Sequence, residues 1–303
     1  MNEPFAYLNH RFVPQSEAGL SLHDAGFVMG VTVTDMCRTV RHKLFRLADH
    51  LDRFCASCDA AFVPRPRSIE TLSDLATELV SRNCSMLAAE ADLALVLFAT
   101  PGPIGFYLGE SGGVGDGAPT FGMHTFPLPF HRYRRLFEQG ARLVIPSVRQ
   151  LPAECVPPQL KQRSRMNWWL AEREVRRSDR SASALLVDAA GNVTETAAAN
   201  FLIVRDGAVQ TPRRESVLSG VSLKITEEIC RSLSIPFEER VLTVDDCLRS
   251  QEASLTSTPY GIASVRSING TELPCPGPTF ERLRGGWNER AGLDLRRQIL
   301  SNQ

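Results

Sequence analysis

The sequence predicts a mixed α/β chain arranged as two α+β domains. Three observations carry this. Strand-like runs alternate with amphipathic helical stripes along the whole length. The 303 residues, 43% of them hydrophobic, suffice for two cores. A Gly- and Pro-rich loop at 101–117, followed by Phe126-Pro-Leu-Pro-Phe130 and the basic run His131–Arg135, separates two sets of elements. The boundaries are 1–125 for a smaller N-terminal domain, 126–136 for an exposed connection and 137–303 for a larger C-terminal domain.

In the first domain, residues 5–13 alternate around Asn9-His10, a hairpin signal. Ser21–Gly30 is turn-rich and leads into a strand over Val31–Val40. Arg41–Lys43 is the next turn and Leu44–Leu47 a short strand. Leu47, Leu51, Phe54, Cys55, Cys58 and Phe62 mark one face of a helix that Pro64 and Pro66 end. Ile69, Leu72, Leu75, Ala76, Leu79 and Val80 mark a second. Leu93–Ala99 is an unbroken apolar run of strand length, expected to be covered on both faces.

In the second domain, Ala141–Pro146 reads as a strand. Pro157 and Pro158 hold the chain extended ahead of Lys161. After it, Met166, Trp169 and Leu170 fall at helical spacing. Ala184–Val187 is a strand with its turn at Asp188–Asn192. Asn200–Val204 and Ala208–Thr211 form a hairpin around Asp206-Gly207. Leu218–Ser222 opens a helix with Val221, Ile225, Ile229 and Leu233 on one face, stopped by Pro236. Val241–Val244 is a strand, Val244–Leu248 a short helix and Ser254–Ser257 another strand. Gly261–Ile268 leads to the turn Asn269-Gly270, and the tail from Pro278 holds one or two amphipathic helices.

Composition narrows the function. Formal net charge is zero, which gives no electrostatic case for nucleic acid or an anionic membrane. No apolar run approaches a membrane span. Met-Asn-Glu-Pro-Phe lacks the basic and apolar regions of a secretory signal. The eight cysteines are scattered, and Cys55-x-x-Cys58 falls inside an amphipathic helix with no second pair or histidine set. No metal site is expected; reduced thiols in a cytoplasmic protein are.

Lysine occurs only at 43, 161 and 224 among 34 basic residues. Lys161 stands where an extended segment hands over to a helix. Its ammonium is either an ordinary solvated charge or an amine that loses its proton and attacks a carbonyl, chemistry closed to arginine. Glu195, just after a turn, is either an exposed strand-end carboxylate or a partner for a pyridine nitrogen. Gly220-Val221-Ser222 opens a helix, which is a capped start or a phosphate cup. Thr256-Ser257-Thr258 ends a strand and offers hydroxyls to local backbone or to the same phosphate. Arg53 lies beside the apolar stripe of its helix, as a solvated arginine or a bidentate phosphate contact.

In order and spacing these segments resemble the fold-type IV pyridoxal-phosphate enzymes, the class IV aminotransferases. That family includes branched-chain and D-amino acid aminotransferases and aminodeoxychorismate lyase. Tyr7–Pro14, Asp24–Gly30 and Leu44–Arg53 resemble its opening blocks. Lys161, Val193-Thr-Glu195 with Asn200-Phe201, Leu218–Ser222, Leu255–Thr258 and Ser264–Gly270 resemble the rest. The resemblance implies the D-amino acid aminotransferase-like fold and a pyridoxal 5'-phosphate cofactor held by Lys161 as an internal aldimine. It implies Glu195 at the pyridine nitrogen. Phosphate contacts from Arg53, Gly220, Val221, Ser222, Ser257 and Thr258 follow from it too. It further implies ping-pong transfer between a small branched-chain or D-amino acid and a 2-keto acid, in a homodimer. The alternatives are a lyase such as aminodeoxychorismate lyase and a cofactor-binding protein without turnover.

Five departures bear on substrate. Asn167 lies six residues after Lys161, behind Arg163 and Arg165. The block Gly30-Val-Thr-Val-Thr-Asp35 replaces a Gly-Asp-Gly-x-x-Glu-like one, and Thr196-Ala-Ala-Ala199 replaces glycine and serines. Leu95–Thr100, where several members carry a carboxylate-binding arginine, has no charge, and Pro259 has no N–H to offer. Arg38, Arg132, Arg134, Arg163 and Arg165 are the candidate replacements.

Overall fold

The computed structural model describes residues 3–88, 90–115 and 117–301. Asp116, in the expected 101–117 loop, and the terminal residues 1–2 and 302–303 lie outside them. The chain divides into two compact units: Met1–Leu128 with Leu160–Ser164, and Pro129–Gln159 with Arg165–Gln303. Lys161, expected with the C-terminal elements, belongs by its contacts to the first unit.

The first unit opens with the hairpin β1 (Phe5–Leu8) and β2 (Arg11–Pro14), turned by Asn9 in the left-handed region. The short helix α1 (Ala25–Val28) follows, capped by the Asp24 carboxylate on the Gly26 N–H at 2.7 Å. Then come β3 (Val33–Val40), β4 (Lys43–Leu44), α2 (Leu47–Ala60), α3 (Ile69–Cys84), β5 (Leu93–Thr100) and β6 (Thr120–Pro127). Among the described residues the strands form one sheet in the order β2-β1-β6-β5-β3-β4. The two strand faces differ. Val33, Leu95, Leu97, Ala99, Phe121 and Met123 point into a core closed by Leu51, Phe54, Leu72, Ala76 and Leu79 of α2 and α3. On the other face Met36, Phe98 and His124 are only half-buried.

Three expectations change here. The strand expected over Leu44–Leu47 already ends at Leu44, as β4, because α2 begins at Leu47. Phe62 does not extend the α2 stripe: the helix ends at Ala60, Phe62 takes a positive φ of 54°, and its side chain is 93% exposed. The division between the two units, after Leu128, falls within the connection expected at 126–136, but that stretch is the end of β6 and the start of a helix (Phe130–Gln139) rather than irregular chain. Cys55 and Cys58 do lie on the buried side of α2, where burial pushes the Cys58 thiol up to about 12.

The second unit contains α4 (Phe130–Gln139), β7 (Ala141–Val144), α5 (Met166–Ser178), β8 (Ser183–Val187), β9 (Val193–Thr196), β10 (Asn200–Arg205) and β11 (Ala208–Pro212). It continues with α6 (Val221–Ser232), β12 (Phe237–Arg240), α7 (Val244–Leu248), β13 (Glu252–Ser257), β14 (Gly261–Ile268), β15 (Thr271–Glu272), α8 (Pro278–Ala291) and α9 (Leu295–Ser301). The strand order is β12-β11-β10-β13-β14-β7-β8-β9, with β15 on β14. β9 also pairs with β10 through Glu195 and Asn200, so the path from β10 through β9 closes on itself. The hairpin turns fall where expected because Asp206, Gly207, Asn269 and Gly270 all take positive φ. The α7 start is fixed by a capping box between Thr243 and Asp246.

Two readings of this unit are corrected. The strand expected at Val241–Val244 is β12, four residues earlier, an edge strand lying parallel to β11. In α5 the buried side is Ala171 and Val175, packed on Ala182, Ala184 and Leu186, while Met166, Trp169 and Leu170 are exposed.

Candidate active site

In the second unit the β9–β10 pairing sets Glu195 beside Asn200, both almost fully buried. A carboxylate in such a place must be hydrogen-bonded. The Asn200 amide donates from Nδ2 to Glu195 Oε2 at 2.9 Å, and the Leu218 N–H donates to Oε1 at 3.1 Å. Asn200 Nδ2 also donates to the Leu218 carbonyl at 2.9 Å, which ties β10 to the segment entering α6. Glu195 is therefore held in one orientation as an acceptor.

That segment ends at Gly220, the N-cap of the twelve-residue α6, where no side chain caps the first turn. A β-carbon on Gly220 would stand 2.0 Å from Asn200 Oδ1. Asn200 cannot turn aside without releasing Glu195 and Leu218, so the position demands glycine. An uncapped helix start presents N–H groups and the positive end of the helix dipole. Val221 and Ser222 follow directly and are buried. Ser257 and Thr258 lie at the end of β13, half-buried. The Ser257 hydroxyl donates to the Ala198 carbonyl at 2.6 Å, a bond to backbone distant in the chain rather than to the local backbone expected. Thr256 Oγ1 donates to the Gly261 carbonyl at 2.9 Å.

Gly220→Ala is expected to destabilise the protein by about 1–3 kcal/mol through this overpacking. Thermal unfolding of the two proteins side by side checks it, and an unchanged midpoint would mean that Asn200 is not held as described.

In the first unit the helical spacing of α2 brings His50 and Arg53 onto one side, facing Asp35 of β3. Arg53 donates from Nε to Asp35 Oδ2 and from Nη2 to Oδ1, both at 2.8 Å, a bidentate pair that fixes the plane of the guanidinium. His50 Nδ1 stands 2.7 Å from Asp35 Oδ1. Burial works to raise the Asp35 pKa, but the Arg53 charge and the hydrogen bonds from His50 and Arg53 outweigh it and hold the group well below the carboxylate range. For His50, burial lowers the pKa more than its Asp35 hydrogen bond raises it, and the Arg53 and Lys161 charges lower it further. A neutral His50 with its proton on Nδ1 donates to Asp35 and keeps the carboxylate charge for Arg53.

Lys161 joins this unit as part of an added strand-like segment. Its carbonyl accepts from the Thr34 N–H at 3.0 Å, Gln162 bridges Val33 in antiparallel sense, and the Arg163 N–H donates to the Thr32 carbonyl at 2.9 Å. The Lys161 N–H donates to Ser57 Oγ on α2 at 3.2 Å. The lysine is half-buried.

The candidate residues thus fall into two groups: Arg53 and Lys161 in the first unit, Glu195, Gly220, Val221, Ser222, Ser257 and Thr258 in the second. Sequence reasoning assigned no role to Asp35, His50 or Asn200, which orient their neighbours. Of the five candidate arginines, Arg38 is withdrawn: its guanidinium is buried on Asp92 at 3.3 Å and donates to the Thr39 carbonyl at 2.8 Å. Arg134 donates to the Leu300 carbonyl at 2.6 Å, and Arg165 to the Ala197 carbonyl. Arg132 is exposed on α4.

A chain with these two sheets, a clamped buried carboxylate and a glycine-gated helix start has the fold of the aminotransferases that work on branched-chain amino acids. It superposes on the branched-chain amino acid aminotransferase of Escherichia coli with a TM-score of 0.86, at 20% identity over 95% of this chain and 94% of that one. It matches the branched-chain amino acid aminotransferase of Thermobaculum terrenum, solved in its PLP-bound holo-form, with a TM-score of 0.83, at 24% identity over 98% and 97%. Residues 32–268 match the family described as amino-transferase class IV, and the chain belongs to that family. In sequence it is similar to a putative branched-chain-amino-acid aminotransferase of Methanocaldococcus jannaschii, 28% identical over 87% of this chain and 88% of that protein. It is also similar to a D-alanine aminotransferase of Staphylococcus haemolyticus, 25% identical over 93% and 96%. The resemblance read from the motifs is borne out at the level of the family and its fold. Among the described residues no helix is long and apolar enough to cross a membrane.

Proposed function

We propose that this chain is a pyridoxal-phosphate-dependent aminotransferase that moves an amino group between a small amino acid, branched-chain or D-, and a 2-keto acid, with Lys161 as the residue that holds the cofactor. The observation that carries this reading is the contact of Asn200 with Glu195, Leu218 and Gly220. One buried amide ties an oriented carboxylate to a helix start that no side chain caps. That set of groups fits a phosphorylated aromatic base whose ring nitrogen must stay protonated.

Pyridoxal phosphate supplies an aldehyde that condenses with amines and a ring that takes up the electron pair left at the substrate Cα. Glu195, kept acceptor-only by its two donors, holds the proton on the ring nitrogen. The first N–H groups of α6, at Val221 and Ser222, bind the phosphate with the help of the helix dipole, at the start that Gly220 opens. Thr258 adds its hydroxyl, as does Ser257 once turned from Ala198. Arg53, its plane set by Asp35, adds a charged donor. Lys161 anchors the group through its amine and, when free, moves the proton at the substrate Cα.

The relatives named above are aminotransferases, which favours transamination over the lyase alternative. The same reading makes the chain a homodimer of the cytoplasm. The exposed apolar side chains of Leu22, Phe27, Met29 and Phe106 in the first unit, on segments joined by the Asp24–Pro103 bridge, are a surface that an identical copy would cover.

The test is a half-reaction. Protein loaded with pyridoxal phosphate is offered L-valine, L-leucine, D-alanine or D-glutamate singly, without keto acid, and pyridoxamine phosphate is measured after denaturation. At least one of them is expected to convert the cofactor. No conversion by any, with the cofactor still bound, contradicts the reading.

A further inference from the structure

The uncharged run Leu95–Thr100 leaves open how a substrate carboxylate is held. The first unit contains one arginine placed to do it. Residues 161–163 run antiparallel to the start of β3, with Gln162 opposite Val33. In an extended segment residues two apart point to the same side, so Lys161 and Arg163 share a side and Gln162 takes the other. Val33 points into the core, so its partner Gln162 lies on the core side and Arg163 on the opposite face of the sheet.

That opposite face carries Met36, Phe98 and His124, and their strands lie in register there: Met36 opposite Val96, and Val96 opposite His124. Thr34, Arg38, Val96 and Thr100 of that face are buried, while Met36, Phe98 and His124 are half-buried. Among the described residues neither the Arg163 guanidinium nor the His124 ring has a hydrogen-bond or ion-pair partner; the only ring contact of His124 is with Phe126, at 6.3 Å. Every other guanidinium considered for this role is turned to a protein acceptor or stands exposed on α4. Arg163 remains open to solvent, yet the protein around its head group lowers its pKa, and that charge adds to burial in lowering the His124 pKa. A cation that is reachable and already partly desolvated loses little hydration when an anion arrives, and forms a charge-assisted pair with it.

We propose that Arg163 is the anchor for a substrate carboxylate, on the same strand-like segment as Lys161 and on the sheet face that also carries Met36, Phe98 and His124. The inference rests on the aminotransferase reading for the reaction and on these residues for the anchor. The guanidinium fork takes the two carboxylate oxygens. The carboxylate is either the one next to the reacting carbon or the distal one of a dicarboxylic substrate.

The experiment measures binding of pyruvate and 2-oxoglutarate by calorimetry to the purified full chain supplemented with pyridoxamine phosphate, the form that receives a keto acid. It compares the natural protein with Arg163→Gln, Arg163→Lys and Arg132→Gln. Arg163→Gln is expected to weaken binding about 10- to 100-fold, the loss of a hydrogen-bonded charge. Arg163→Lys is expected to fall between, because the charge stays and the fork goes, and Arg132→Gln to bind as the natural protein does. Loss for both acids assigns the anchor to the carboxylate next to the carbonyl; loss for 2-oxoglutarate alone assigns it to the distal one. Equal binding by Arg163→Gln, or no binding of either acid by the natural protein, overturns the proposal. If the acids bind through Arg163 and no amino group is ever transferred, the aminotransferase reading fails while the anchor stands.

Discussion

Lys161→Ala is expected to abolish the visible absorbance of the cofactor-loaded protein and to slow amino transfer by about 10⁴-fold, the upper range for loss of a positioned proton carrier. The fold should survive. The 160–164 segment is held by its backbone, through the Thr34 N–H on the Lys161 carbonyl, the Lys161 N–H on Ser57 and the Arg163 N–H on Thr32. None of these bonds uses the lysine side chain. Circular dichroism and thermal unfolding of the variant should therefore match those of the natural protein, while the spectrum and the turnover do not. A variant that keeps the visible band would show that another amine carries the cofactor.

Glu195→Gln is expected to act differently. The amide has nearly the carboxylate's shape, and its carbonyl oxygen can still accept from either Asn200 Nδ2 or the Leu218 N–H. Its NH₂ group, however, would then face one of these donors, and the charge that keeps a ring nitrogen protonated is gone. Cofactor should remain bound through the α6 start, and turnover should fall by about 10²- to 10³-fold, the scale of removing one preorganised electrostatic contact. Single-turnover spectra with and without the substitution separate the two effects. Near-natural rates in the variant would remove Glu195 from the ring nitrogen.

How much of this was legible in the sequence follows the range of the forces involved. The Asp206-Gly207 and Asn269-Gly270 turns were readable because their positive φ values demand those residue types locally. The central strand β5 was readable because cover on both faces requires an unbroken apolar run. β6 was not: Thr120–Pro127 mixes Thr, Gly, His and Pro, and it is a strand because β5 and β1 pair with it on either side. β12, Phe237-Glu-Glu-Arg240, reads as polar because it is an edge strand, half-exposed along its length. The apolar spacing in α5 was real, but Trp169 and Leu170 face away from the core that Ala171 and Val175 enter.

The site divides in the same way. Lys161, Glu195 and Gly220 stand in segments whose order carries the family pattern. The residues that orient them are known only from contacts distant in the chain: Asp35 with Arg53, eighteen positions apart, and Glu195 with Leu218, twenty-three apart. Arg38 was a plausible carboxylate ligand in one dimension and is a core residue in three, since its partner Asp92 lies fifty-four positions on.

The central claim is that Lys161 holds the cofactor, and the chain is unusually well suited to a direct test because it has only three lysines. Protein saturated with pyridoxal phosphate would be reduced with borohydride, digested and sequenced by tandem mass spectrometry. The account predicts the phosphopyridoxyl group on the peptide containing Lys161, in amounts approaching one per chain, with Lys43 and Lys224 unmodified. The group on Lys43 or Lys224 instead, or on no lysine of a saturated protein, would contradict it.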